Sequence, residues 1–226
     1  MKSTRLEIIL LIIVLFIAVA ANEGPLAYGQ KDSRGFFLYP PIYPKSYANY
    51  DGWVRETGEN TNVGGTVNVT GAINLGDDAG NQQYIGILHF NTASYHIPPT
   101  AVIYNAVLRI RRQSIVGSNP FLSFGVLYVD IRKPSFGTAP LTSTDFQAVA
   151  GRSAVAAFGR LPVSGWYKAI INATGRAYIN KSGVTQFRLR FKLDDNNNFV
   201  RDYVTIYSGD ALTNLRPTLE LNYYVP

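Results

Sequence analysis

Residues 186–193, QFRLRFKL, alternate without a break between apolar and polar side chains after the leading glutamine. A period of two is the repeat of a β-strand, whose successive side chains leave opposite faces. Read as a strand, the stretch puts Phe187, Leu189, Phe191 and Leu193 on one face and Arg188, Arg190 and Lys192 on the other. AVLRIRR repeats the pattern, with Ala106, Leu108 and Ile110 opposite Val107, Arg109 and Arg111, and so does the last strand through Leu219, Leu221 and Tyr223. One buried face and one wet face is the mark of antiparallel sheets packed face to face. A slip of one residue would carry the arginines inside, so the register is strongly specified. The expected fold is an all-β, antiparallel sandwich.

Further strand candidates recur at 66–76, 84–90, 101–112, 122–133, 165–173, 203–209 and 217–225, separated by Gly, Pro, Asn and Asp clusters. Such spacing predicts about 8–10 strands in a jelly-roll-like arrangement. Only STDFQAVAG (143–151) and NATGRAYIN (172–180) have the composition of short helices.

The 226-residue chain contains no cysteine, and its histidines are His89 and His96. Disulfides and thiolate chemistry are thereby excluded, and most transition-metal sites lack ligands. IILLIIVLFIAVAA, residues 8–21, is short for a bilayer span and follows Lys2 and Arg5. It reads as the apolar region of a secretory signal peptide over residues 1–20. The expected location is extracellular or at the cell surface, with no membrane attachment after cleavage. A net charge of +6 is modest, and an exported protein with it is not expected to bind nucleic acid.

Residues 21–50 form an extended segment rich in Tyr and Pro, whose prolines remove backbone donors. Its apolar residues Phe36, Phe37, Leu38, Tyr39, Ile42 and Tyr43 suit a strand. The segment either packs along its own domain or adds as a donor strand to a neighbouring copy. The domain proper is expected over 51–226.

Four blocks occur in order across 51–226: DGWVRETGENTNVGG (51–65), LGDDAGNQQYIGILHFNTASYHIPPTAVIYNAVLRIRR (75–112), WYKAIINATGRAYINKSGVTQFRLRF (166–191) and YVTIYSGDALTNLRPTLELNYYVP (203–226). Together they resemble the DNRLRE-type β-sandwich modules of secreted and surface proteins of bacteria and archaea. The resemblance implies an architecture similar to carbohydrate-binding modules, with polysaccharide as a ligand of some members and no catalysis. It implies no ligand-binding residues position by position. Because the module is joined here to no catalytic or repeat partner, a free-standing lectin-like protein or a surface or filament subunit is expected.

Several residues are candidates for binding. DDNNN (194–198) spaces Asp194, Asn196 and Asn198 as in a calcium loop, with Asp195 beside them. Hard oxygen ligands suit calcium, but Phe199 stands where an EF-hand needs Gly and Thr205 where it needs Glu. Asp and Asn also form ordinary turns by bonding their own backbone. GDDAGN (76–81) offers Asp77 and Asp78 with the same two readings. No cofactor is required; Ca2+ is the one these residues would suit.

Arg109, Arg111, Arg188, Arg190 and Lys192 form a basic stripe that suits acidic glycans or a neighbouring subunit, or simply keeps a sheet soluble. Trp53, Trp166 and Tyr50 are candidate sugar platforms, with core packing as the alternative. Asn68, Asn172 and Asn180 head Asn-x-Ser/Thr triplets, acceptors for N-glycosylation where that rule operates. Glu56 and Glu59 are the one close glutamate pair, in a loop with no apolar surroundings, and no nucleophile elbow exists. The expectation is a non-catalytic extracellular protein with a structural or adhesive role, self-assembling through its N-terminal segment. The alternative is a free-standing carbohydrate-binding module. The corresponding partners are a second copy or cell-surface polysaccharide.

Overall fold

The computed structural model describes residues 29–226; the signal-peptide assignment over 1–20 lies outside them, as do residues 21–28 of the leader. The strands are β1 (Gln30–Lys31), β2 (Phe37–Leu38), β3 (Gly52–Glu56), β4 (Gly64–Asn68), β5 (Ile73–Asp77), β6 (Gln83–Asn91), β7 (Val102–Val116), β8 (Leu127–Arg132), β9 (Arg152–Phe158), β10 (Trp166–Ile170), β11 (Val184–Phe191), β12 (Asp202–Ile206) and β13 (Thr218–Val225). Among the described residues two short helices, α1 (Pro120–Ser123) and α2 (Ala173–Tyr178), begin at asparagine caps. The Asn119 and Asn172 side-chain oxygens accept the Phe121 and Gly175 amides at 3.1 and 2.9 Å, satisfying donors that a helix start leaves unpaired.

All pairings between these strands are antiparallel, and the fold is sandwich-like. One layer runs β1–β2–β13–β7–β10; the other runs β4–β3–β6–β11–β8–β9. The fifteen-residue β7 belongs to both. Its first part pairs with β13 and β10, and after a bulge opposite Thr205/Ile206 its last residues pair with β12. β12 pairs with β5, and β5 meets β6 at Gly76/Tyr84, so the layers are joined through one corner. A bulge bends a strand and sharpens its twist, which is what turning this corner demands.

The sequence periodicity is realised inside. Phe187, Leu189 and Phe191 of β11 face Leu108 and Ile110 of β7 and Leu219 and Leu221 of β13 in one continuous core. Each such side chain contributes about 1.5–3 kcal/mol as an upper bound. Gly86 is required there: a Cβ would sit 2.8 Å from the Ile73 methyl and 2.9 Å from the Leu75 methyl.

The outer face of the β11 layer departs from the expected wet surface. Residues 133–151 fold over it and enclose a second apolar cluster of Val54, Ile85, Ile87, Phe136, Leu141 and Phe146. The outward side chains of β11 anchor this cover. Gln186 accepts the Phe136 amide at 2.8 Å, and Arg188 donates to the carbonyls of Phe146 at 2.8 Å and Ala148 at 2.7 Å. Arg188 is only 8% exposed, so its assignment to a basic surface stripe is corrected. Buried carbonyls and one carboxylate replace water around its guanidinium.

Other boundaries also differ. The stretch 66–76 is two strands, divided by a turn at Gly71 whose φ is +72°. Residues 122–133 begin in α1 before becoming β8. In 143–151 only Ser143–Asp145 is a helical turn, and β9 follows it. Leu193 lies beyond the end of β11 and is half exposed. Among the described residues the strand total rises to thirteen, because the leader supplies β1 and β2, the Gly-divided stretch supplies two strands for one, and β3 and β9 match no candidate.

Candidate functional site

Antiparallel register aligns side chains from four segments on the outer face of the β7 layer. Lys168 of β10 is opposite Arg109 of β7, Arg109 is opposite Thr218 of β13, and Thr218 is bridged to Lys45 of the leader. These residues alternate with buried Tyr167, Leu108 and Leu219, so the period that fills the core also aims them outward. In the neighbouring row Trp166 is opposite Arg111, whose guanidinium lies 5.8 Å from the indole centroid.

The row is rich in cations and poor in partners. Arg109 is ion-paired with Glu220. Lys45 Nζ donates to Thr218 Oγ1 at 2.7 Å and touches no carboxylate among the described residues. Partial burial, followed by repulsion from Arg109 and Arg216, holds the Lys45 ammonium below its ordinary pKa. Lys45 divides two depressions. One, of about 300 Å³, is lined by Tyr43, Arg109, Trp166 and Lys168; the other, of about 390 Å³, by Tyr47, Asn49, Asn91, Tyr95 and Arg216. Tyr43 and Tyr47 are about half exposed, at 47% and 49%.

The leader forms one wall of this track by pairing with its own chain. Ile42 exchanges backbone hydrogen bonds with Leu221 at 3.0 Å, and Leu219 donates to the Pro44 carbonyl at 2.9 Å. Phe37 and Leu38 pair with β13 at Val225 and Tyr224, Phe36 stacks on Tyr224, and Tyr39 stacks on Tyr223. The donor-strand candidates thus lie along the β13 edge of their own layer, with Tyr43 turned outward into the track.

Asp51 fixes the end of the leader. Its carboxylate accepts the His89 amide at 2.7 Å and the Gly209 amide at 2.9 Å. Burial drives its pKa up to about 7 despite these donors. Tyr50 stacks on the His89 ring at 4.6 Å, so one face of this candidate platform is occupied. Trp53 is set edge-on against Tyr84 and packs on the main core, the alternative foreseen for it.

The basic stripe is split between two surfaces. Arg109 and Arg111 face outward from the β7 layer; Arg190 and Lys192 face outward from the β11 layer, on the opposite side of the shared core. Nothing in one sequence shows which of two layers a strand joins. Lys45, Lys168, Arg216, Tyr47 and Tyr95 carry no mark in the sequence, because their convergence depends on register across segments far apart in the chain.

The two Asp/Asn loops do meet. The Phe199 amide donates to Asn81 Oδ1 at 3.0 Å, and the Asp202 amide donates to Asp77 Oδ1 at 3.1 Å. Within 194–198, Asp195 accepts the Asn197 amide at 2.7 Å and Asn196 accepts the Asn198 amide at 3.3 Å. The Asn196 and Asn198 side-chain amides both donate to Asp202 Oδ2 at 2.9 Å. This is a corner built of successive side-chain turns, with Asn197 and Phe199 at φ +57°.

Asp77 is wholly buried and its Oδ2 has no partner; burial, then the charges of Asp202 and Asp195, raise its pKa to about 7. Asp78 is committed to Arg55 at 2.7 Å and to the Gly80 and Gln82 amides. Asp194 borders a groove on the β11 side instead. Among the described residues no group of three or more His, Cys, Asp or Glu is placed to hold a metal ion.

Glu56 is buried and accepts from the Asn62 amide and the Thr61 hydroxyl, while Glu59 is exposed. Of the glycosylation triplets, Asn172 is exposed while capping α2. The Asn68 oxygen accepts the Thr70 amide at 2.8 Å, and half-buried Asn180 accepts the Ser182 amide at 3.1 Å.

Compared with models of known protein families, the chain matches none, and no curated protein matches it either.

Proposed function

We propose that this protein is a non-catalytic extracellular module that adheres to an acidic polysaccharide along the outer face of its β7 layer. The observation carrying the reading is the cationic row Lys168–Arg109–Lys45, extended by Arg216 and flanked by Trp166, Tyr43 and Tyr47. Aromatic faces offer flat apolar contact to the C–H faces of sugar rings. Ammonium and guanidinium groups supply charge-assisted hydrogen bonds to carboxylate or sulfate. Glu220 is the one carboxylate paired within the row, so a bound anion relieves the mutual repulsion around Lys45.

Two adjoining depressions suit a chain longer than one sugar, and a pair of shallow sites in series is how a linear polymer gains affinity. The leader's pairing with its own β13 favours such a stand-alone adhesive module over a fibre made by strand exchange.

The test is electrophoresis through native gels containing sodium polygalacturonate or, as a neutral control, hydroxyethyl cellulose. Retardation is expected in the first gel only, and Lys45→Ala with Trp166→Ala should abolish it. Equal mobility of parent and double variant in polygalacturonate would remove this face from consideration.

A further inference from the structure

The outer face of the β11 layer also carries a groove, of about 550 Å³. That volume lies in the range of small-molecule and sugar sites. Its floor is Arg190 of β11 and Lys192 just beyond it, with Ile85 of β6; the cover contributes Gln147, β9 contributes Ser153, and the β3–β4 hairpin contributes Asn62.

The hydrogen-bonding state of these groups distinguishes a ligand site from a mere seam. Asp130 at the groove base is shared by two guanidinium groups: Arg188 Nη2 reaches its Oδ2 at 3.0 Å and Arg190 Nε at 2.9 Å. Arg188 is consumed further by the cover carbonyls. Arg190 keeps Nη1 without a partner, and the Lys192 ammonium and Ser153 hydroxyl make no hydrogen bond among the described residues. Gln147 uses its oxygen to accept the Gly64 amide at 3.1 Å, which leaves its amide N–H groups unused. The groove therefore presents unused donors on Arg190, Lys192, Gln147 and Ser153, and three cations line it against the carboxylates of Asp130 and Asp194.

The backbone at its rim is held out of its usual range. Ala154 has φ +49°, fixed by donation of its amide to Asp130 Oδ1 at 2.9 Å. This orders β9 beside Ser153 through the same carboxylate that orients Arg190. A preformed array of donors costs little ordering entropy when it binds.

We propose that this groove is a second site for the acidic polysaccharide, so that one chain grips two glycan strands on opposite faces and cross-links them. The inference rests on the function proposed above. It adds a ligand class to a surface outside the Lys45 track: a sugar carboxylate on Arg190 and Lys192, with ring hydroxyls accepting from Gln147 and Ser153. Binding at two faces converts a weak module into a bridge, because the second strand is captured by a protein already held at the first.

Calorimetric titration with hexagalacturonate should give two sites per chain. Lys192→Glu, an exposed charge reversal that leaves the core untouched, should reduce this to one site and weaken the lost one at least tenfold. Arg190→Ala should do the same, with Asp130 still paired to Arg188. Lys45→Ala with Trp166→Ala should remove the other site and leave the groove. Long polygalacturonate should turn turbid with the parent protein and stay clear with either set of variants. A single site that vanishes with Lys45 and Trp166 overturns the second site and keeps the first; two sites that survive Lys192→Glu and Arg190→Ala overturn the assignment to this groove. No binding at all overturns both readings.

Discussion

Arg188 and Asp130 meet at 3.0 Å beneath residues 133–151, with the Arg188 guanidinium 4.7 Å from the Phe136 ring centroid. Burial alone would raise the Asp130 pKa; hydrogen bonds from Arg190 and Ala154, and the charges of both arginines, outweigh it and hold the carboxyl low. The pair nails the cover to the sheet. Arg188→Met should therefore cost about 3 kcal/mol, the scale for breaking a buried ion pair. Urea denaturation should show the lost stability, and hydrogen exchange should show protection disappearing first from residues 133–151. A loss confined to the end of β11 would contradict the anchoring role.

Asp51 and Asp77 keep their protons up to about pH 7 in the folded chain, whereas an unfolded aspartate loses its proton near 3.8. Between those values the native state binds more protons at these two carboxyls, so their contribution to stability falls as pH rises from about 4 to 7 and levels off above. Asp77→Asn should flatten that slope and raise the melting temperature at pH 8, because it removes a charge lying close to Asp202 and Asp195. Melting curves collected from pH 4 to 8 for both proteins test this; parallel curves would refute it.

Ile42 packs on the main core while its backbone pairs with Leu221. Ile42→Asp would set a carboxylate against that apolar surface and should release the leader at a cost of about 2–3 kcal/mol. Limited proteolysis should then cut within residues 29–45 and leave 51–226 intact. Retention by polygalacturonate should fall as well, since Lys45 leaves with the leader.

Asp202 accepts the Ser118 amide at 2.5 Å and the side-chain amides of Asn196 and Asn198 in the 194–198 corner. Asp202→Ala strands three donors, all on exposed residues that water reaches, and should cost about 1–2 kcal/mol. Because protein donors already occupy Asp202, millimolar calcium should leave the melting temperature of the parent protein unchanged. A rise of several degrees would reveal a rearranged, metal-bound corner.

Much of the interior was legible in the sequence. Phe187, Leu189 and Phe191 alternate with cations, and period two leaves them one place to go. The fate of Arg188 was not legible, since the cover over it comes from a segment with no periodicity, whose aromatic residues Phe136 and Phe146 gave no sign of their target. β9 escaped notice because Ala154, Ala156 and Ala157 carry little strand preference, and its burial comes from tertiary contact. The Lys168–Arg109–Thr218–Lys45 row is a property of register. Residues 45 and 218 become neighbours only after the leader has chosen its edge.

The leader and β13 run side by side in opposite directions, and the β1–β2 turn brings Gln30 next to Leu38, itself opposite Tyr224. Gly29 and Pro226 therefore leave the Leu38–Tyr224 pair in opposite directions, but once the two-residue β1 has detached, Phe36 and Pro226 lie at the same end. Tension applied between them peels the leader away one hydrogen bond at a time, like a zip, and never loads the long β7 ladder in shear. Pulled this way the protein gives at low force, and its sandwich outlasts the loss of its first strands.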